Sequence, residues 1–370
     1  MRYPTTQDAS AVSQNNLVAQ QLDNSAASFR SRLFNLFTNY HDYTTFSNEA
    51  WIPQNNPNGY DSIESVHDQI HGLTGSGGHM SYIEYSAFDP LFFLHHAMVD
   101  RCFAMWQALY PNSYVVPEPA TYSTFTNSAG QTQNSSSSLT PFHEDASGDF
   151  WTSDSVRSTE TFGYVYPETI NSTGANITAQ VVSAINTLYG TTPSKRKRNM
   201  NSEQDMVIGK RDPGAQYREW IANIIVEKNA LSEPFFIHVF VGPFNTGDPA
   251  SWSFEPNLVG SHFVFTKAVT SNCPSCDPNQ LVTATIPLNS ALMDNVADGK
   301  LGSLQPADVE PFLMSNFKYR ITRLNDQEVG NGDVPSLKIS IVSANVTIPV
   351  DDYELPKWGE MKSHMDISTG

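Results

Sequence analysis

Cysteine is scarce: Cys102, Cys273 and Cys276 are the only three in 370 residues. So small and odd a number excludes a disulfide framework and points to a reducing, intracellular setting. Basic residues are also few. Lys and Arg total 21 against 38 Asp and Glu, giving a formal charge of -17 and a pI near 4.8. A phosphate backbone would be repelled, which excludes a nucleic-acid partner. Long apolar runs are missing as well. No stretch approaches the ~20 apolar residues of a membrane helix, and Met1 to Ser10 hold no apolar segment of signal-peptide length. Asn-x-Ser/Thr triplets at Asn134, Asn171, Asn176 and Asn345 favour secretion, but so short a pattern arises often by chance, and the intracellular expectation stands.

What is present suits a folded protein. Hydrophobic residues make up 39% of the chain, with 21 Phe and 15 Tyr, and the length accommodates two domains. Leu17, Val18, Leu22, Phe29, Leu33, Phe34 and Phe37 fall at approximate helical spacing, predicting one or two amphipathic helices over residues 15 to 40. A turn at Pro53 to Tyr60 leads into a helix over Ser62 to His71, and a glycine-rich loop is expected at Gly72 to Gly78. Asp89-Pro90 reads as an N-cap with proline at the first helical position, opening a helix that runs to about Leu109 and stops before Pro111. Residues 121 to 140 read as an exposed loop, and 171 to 212, with Lys195 to Arg198 in polar surroundings, as a linker. Phe235 to Val241, His262 to Val269, Leu281 to Pro287 and Leu337 to Pro349 carry strand signals. The expected fold is α+β: a mainly helical segment over 1 to 170, then an antiparallel β-rich domain over 213 to 370.

The chemistry lies in the helical segment. In Glu64-Ser-Val-His67-Asp-Gln-Ile-His71 the histidines are four apart, so a helix puts both imidazoles on one face. A third comes from the helix carrying His95-His96. Neutral imidazole binds copper well, and three such ligands leave positions open for oxygen and substrate. Taken alone, a His-x-x-x-His pair is more often two surface or core histidines. The His-His helix within 25 residues, capped by Asp-Pro, weighs against that reading. His41, His79, His143, His238, His262 and His364 lack partners at ligand spacing and are read as non-ligands.

Asp89 to Arg101 matches the pattern Asp-Pro-x-Phe-x-x-His-His-x-x-x-Asp-Arg. Glu64 to Trp106 thereby resembles the copper-B region of tyrosinases, catechol oxidases and molluscan haemocyanins, with Gly78-His79-Met80 and Ala87-Phe88-Asp89-Pro90 most similar to fungal tyrosinases. The resemblance implies His67, His71 and His96 as copper ligands, with His95 as a neighbour. It places Glu64 and Asp68 where an acid and an Asn or Asp hold a water and assist deprotonation of the phenol. Phe92 is expected to pack over the ligand rings or plainly in the core, and Asp100 either to orient His96 or to pair with Arg101 or another base. The implied activity is oxidation of monophenols and o-diphenols to o-quinones with O2, in pigment- or melanin-type chemistry.

The same resemblance implies a dinuclear centre, yet only His41 precedes His67, so the copper-A histidines are not seen. Two copper-bearing helices without that half are expected to expose apolar surface and to be prone to instability or self-association. The competing readings are a catalytically incomplete chain holding one copper or none, and a haemocyanin-like oxygen carrier. Further along, Phe162-Gly-Tyr164-Val-Tyr166-Pro resembles the tyrosine motif closing the catalytic domain. The basic run Lys195 to Arg198 lies where fungal members are cut to release a shielding domain. Cys273-Pro-Ser-Cys276 suits Cu(I) held by soft thiolates, as in copper loading from a chaperone.

Overall fold

In the computed structural model the described residues are 1–52, 60–121, 123–170, 176–190, 214–267, 279–351 and 353–367. The Lys195 to Arg198 run and the Cys273/Cys276 pair lie outside them.

The helical part opens with α1 (Asn15–Asn39), followed by the short α2 (Tyr43–Ser47), α3 (Ile63–Gly75) and α4 (Leu91–Leu109). Ser62 caps α3 by accepting from the Ser65 N–H at 3.0 Å. The Asp89 carboxylate starts α4, accepting from the Leu91 N–H at 2.9 Å while also pairing with Arg2. Leu33, Phe34, Leu36 and Phe37 of α1 pack with Val66, Met105 and Trp106 into one core. The predicted glycine loop begins later than expected, because α3 continues through Gly72 to Gly75. Gly72 serves close approach there: a Cβ at that position would lie 2.4 Å from the Phe263 ring of the β-rich part.

Between the two parts, β1 (Glu118–Pro119) pairs with β2 (Thr132–Gln133), and β3 (Ser138–His143) with β4 (Phe150–Thr152), as two small antiparallel ribbons. The expected linker over 171–212 is corrected in its described portion. Helix α5 (Ile177–Leu188), capped by Asn176, buries Val181, Val182 and Ile185 and joins the core of α1 and α4. Val181, Ile185 and Tyr189 form an i, i+4, i+8 stripe, which the polar sequence on either side obscures.

The remaining elements are β5 (Gln216–Glu227), β6 (Phe235–Val241), β7 (Leu258–Val264), β8 (Leu281–Pro287), α6 (Asn289–Ala297), α7 (Pro306–Asn316), β9 (Phe317–Arg323), β10 (Glu328–Val329), β11 (Lys338–Thr347), β12 (Lys357–Trp358) and β13 (Lys362–Asp366). They form two antiparallel sheets. One has the order β10-β9-β6-β7; the other has β12-β11-β5-β8, with β13 also on β11. Their inner faces, including Phe235, Ile237, Val239, Ile224, Ile286 and Ile339, enclose the second core. Strand β6 is buried throughout because its other face, with Phe236, is also covered. It therefore reads as a continuous apolar run without alternation. Strands β7 and β8, one from each sheet, face α1 and α3.

Two histidines inside this part make its stability pH-dependent. His238 is buried between the Ser261 and Thr322 hydroxyls, each 2.9 Å away, and His262 is buried beside Arg32 and Lys228. Burial pushes both down to about 3. Their stabilising contribution is complete above the unfolded-state value of about 6.5 and is lost as pH falls towards 3, because the unfolded chain takes protons that the folded one refuses. Between pH 7 and 5.5 the two together should cost about 2 to 3 kcal/mol. In urea titrations from pH 4.5 to 6, His238→Gln should lower the pH slope of stability by about one proton relative to the parent. An unchanged slope would contradict this assignment.

Candidate metal centre

Helix α3 presents His67 and His71 one turn apart, and α4 brings His96 against them. Each ring is fixed through Nδ1. His67 Nδ1 lies 2.7 Å from Asp68 Oδ1, His71 Nδ1 lies 2.8 Å from the Met80 carbonyl, and His96 Nδ1 lies 2.7 Å from the Phe92 carbonyl. Acceptors at all three assign the proton to Nδ1 and leave each Nε2 with a free lone pair. The Nε2 of His67 is 3.1 Å from those of both His71 and His96. Lone pairs that close repel unless a cation lies among them, so the donor set fits a metal ion. Burial pushes all three imidazoles down, helped by the neighbouring rings at His71 and His96 and opposed by Glu64 and Glu49 at His67, with His71 falling to about 3; this keeps them neutral and ready to ligate.

His95 competes geometrically. His67, His71 and His95 also offer one ring nitrogen each within 4.8 Å of one another. The His95 ring stacks on His67 at 4.9 Å, and its Nε2 donates to the His67 carbonyl at 3.1 Å. That bond takes up His95 Nε2, while His96 directs its own Nε2 at that of His67, in line with the third ligand that the resemblance implies. Phe92 lies over His96 with ring centroids 3.9 Å apart.

Of the two readings of Asp100, orienting His96 is the one the structure does not support. Asp100 does not reach His96, whose Nδ1 is taken by the Phe92 carbonyl. Its Oδ2 instead accepts from the Tyr164 and Tyr166 hydroxyls at 2.7 and 2.5 Å, tying the tyrosine pair to α4. Arg101 beside it pairs with Glu168. Asp68 is buried with Oδ1 2.7 Å from His67 Nδ1, and Glu64 Oε2 accepts from the Glu49 N–H at 3.0 Å. The mechanism favours this arrangement, since a carboxylate on the far nitrogen raises ligand basicity and fixes the ring.

Three residues of the site carried no signal in the sequence. Phe265, just beyond β7, stacks on His71 at 4.6 Å and lies 6.4 Å from His67, so the β-rich part covers one side of the triad. Glu49 and Lys228 pair behind it at 2.7 Å. All three depend on packing between distant segments. The other histidines stand apart. His41 bonds the Thr38 carbonyl, His79 the N-terminal amine and His143 the Gly148 carbonyl. His364 links Ser343 and Glu310 at 2.8 Å each, the bonding order of a hydrolase triad, but Ser343 is fully buried and cannot meet a substrate.

Three neutral imidazoles on a helix pair beneath a β-rich cover define a copper-type metal centre. Residues 2–109 match the common central domain of tyrosinase, and residues 219–341 match the tyrosinase C-terminal domain. A tyrosinase of Neurospora crassa is 32% identical, with 96% of this chain and 66% of the relative covered; one of Podospora anserina is 33% identical, with 82% and 62% covered. A crystal structure of latent and active mushroom tyrosinase superposes with a TM-score of 0.75 at 25% identity, covering 98% of this chain and 64% of that one. The chain belongs to the tyrosinase family, whose cofactor is dinuclear copper. It spans just under two thirds of the length of these relatives.

Proposed function

We propose that this chain holds one copper of a phenol oxidase that converts monophenols and o-diphenols to o-quinones with O2. The convergence of three proton-free Nε2 atoms, each backed by a fixed Nδ1–H, carries the reading. Copper, when bound, supplies the redox and oxygen chemistry. His67, His71 and His96 hold it, and Asp68 fixes His67. Glu64, one turn before His67, is the proton acceptor for the incoming phenol, whose ordinary pKa near 10 makes assistance valuable. Phe265 occupies the face over His71, so the β-rich part acts as a cover to be displaced before substrate enters. Cys273 and Cys276 receive copper from a chaperone and pass it on, in an intracellular setting.

Among the described residues the histidines of the α3–α4 junction, His67, His71 and His95 with His96 beside His67, are the one cluster of this kind, and turnover needs a second copper. Copper per chain, measured with oxygen uptake on a catechol, tests the proposal. About one copper without uptake is the expected result for this chain alone, assigning turnover to an assembly that brings the second triad. Oxygen uptake that survives complete copper removal would overturn the reading.

A further inference from the structure

Lys228 follows directly on β5, where its N–H donates to the Gln280 carbonyl at 2.8 Å. Its side chain leaves the β-rich part and enters the helical one, ending 2.7 Å from Glu49 Oε1. Glu49 is 1% exposed and joined to both parts. Its N–H donates to Glu64, and its carbonyl accepts from the Thr283 N–H at 2.9 Å and the Thr283 hydroxyl at 3.0 Å. Asp68, which holds His67, lies in the same cluster. Lys228 thus faces three carboxylates, Glu49, Glu64 and Asp68, and their fields hold its ammonium above the ordinary lysine value. Burial and the neighbouring acids raise the Glu49 and Asp68 carboxyls, while Lys228 acts the other way on both and Glu49 also hydrogen-bonds Asp68, so the ammonium is one of the groups that stabilise this arrangement.

We propose that Lys228 is a positioning residue for the metal centre: the β-rich part supplies, through the Lys228–Glu49 pair, the positive charge that keeps Glu49, Glu64 and Asp68 assembled beside His67. Displacing that part therefore alters the charge and order of the site as well as lifting Phe265 from it. The cover is electrostatic as well as steric. This rests on the assignment of His67, His71 and His96 as the metal triad.

The test uses the full chain, with Zn2+ as a redox-silent probe of the triad and amide exchange as a measure of local order. Lys228→Met should speed exchange in the segment around Glu49 and at Thr283 by at least about 10-fold, leaving β6 unchanged. It should also shift Zn2+ affinity by about 5-fold or more, the scale on which partners behind a ligand act. Lys228→Arg should restore both. Phe265→Ala should leave the exchange as it is, because it uncovers the triad without touching the pair. Should Lys228→Met fold poorly, Glu49→Gln tests the same pair from the other side and should give the same two changes. Normal Zn2+ uptake with unaltered affinity in Lys228→Met and Glu49→Gln overturns the role of Lys228 alone. Absence of Zn2+ uptake by the unaltered chain overturns the triad and this proposal with it.

Discussion

Replacing His67, His71 or His96 with alanine should abolish stable copper binding, whereas His95→Gln should leave it within about 10-fold of the parent. Removing a group behind a ligand typically costs 10- to 100-fold in affinity, so losing a ligand should cost more than about 100-fold. The contrast between the adjacent histidines carries the information. One step along a helix turns a side chain by about 100 degrees, and His95 spends its Nε2 on the His67 carbonyl while His96 directs its own at the His67 ring. His95→Gln should lower stability through lost stacking on His67. If His95→Gln loses copper and His96→Ala keeps it, the ion sits instead on His67, His71 and His95. Equilibrium dialysis of the four variants decides.

The second large effect is on folding. Arg32 of α1 is 2% exposed and grips Asp61 with two hydrogen bonds, 2.9 Å from Nε and 2.6 Å from Nη2, with a further bond to Ser65 of α3. The Thr285 hydroxyl of β8 also donates to Asp61. Arg32→Met leaves a buried carboxylate without its cation and should cost about 3 to 5 kcal/mol. Adding Asp61→Asn should recover a large part of the loss, since the remaining group is then neutral. The loss should also loosen α3, so triad and fold should weaken together in Arg32→Met. Urea titration of the single and double variants checks this; a loss under about 1 kcal/mol in Arg32→Met would contradict the role given to this pair.

The parts of the site legible in the sequence are local. The four-residue spacing of His67 and His71, the Asp-Pro start of α4 and the His95-His96 doublet follow from helical periodicity and capping, which act over a turn or two. Strand β8 was read with its observed ends because its β-branched run sits between turn residues. The sequence was silent where contacts join distant segments: Phe265 on His71, Lys228 on Glu49, Thr285 on Asp61. For Asp100 the four-residue step from His96 left contact with that ring open, while its actual partners, the hydroxyls of Tyr164 and Tyr166, come from 64 and 66 residues away. Helix α5 was hidden because three buried side chains in a polar stretch give a weak periodic signal.

The apolar surface expected on the helical part is present, with Phe88, Phe93 and Leu94 of the α4 region 77%, 63% and 70% exposed. Phe93 and Leu94 lie within three residues of His96 on the same helix.

Anomalous diffraction at the copper edge from copper-loaded crystals tests the central claim most directly. A single strong peak bonded to the Nε2 atoms of His67, His71 and His96 is the predicted result. A peak bonded to His95 in place of His96, or no copper at the α3–α4 junction, would contradict it.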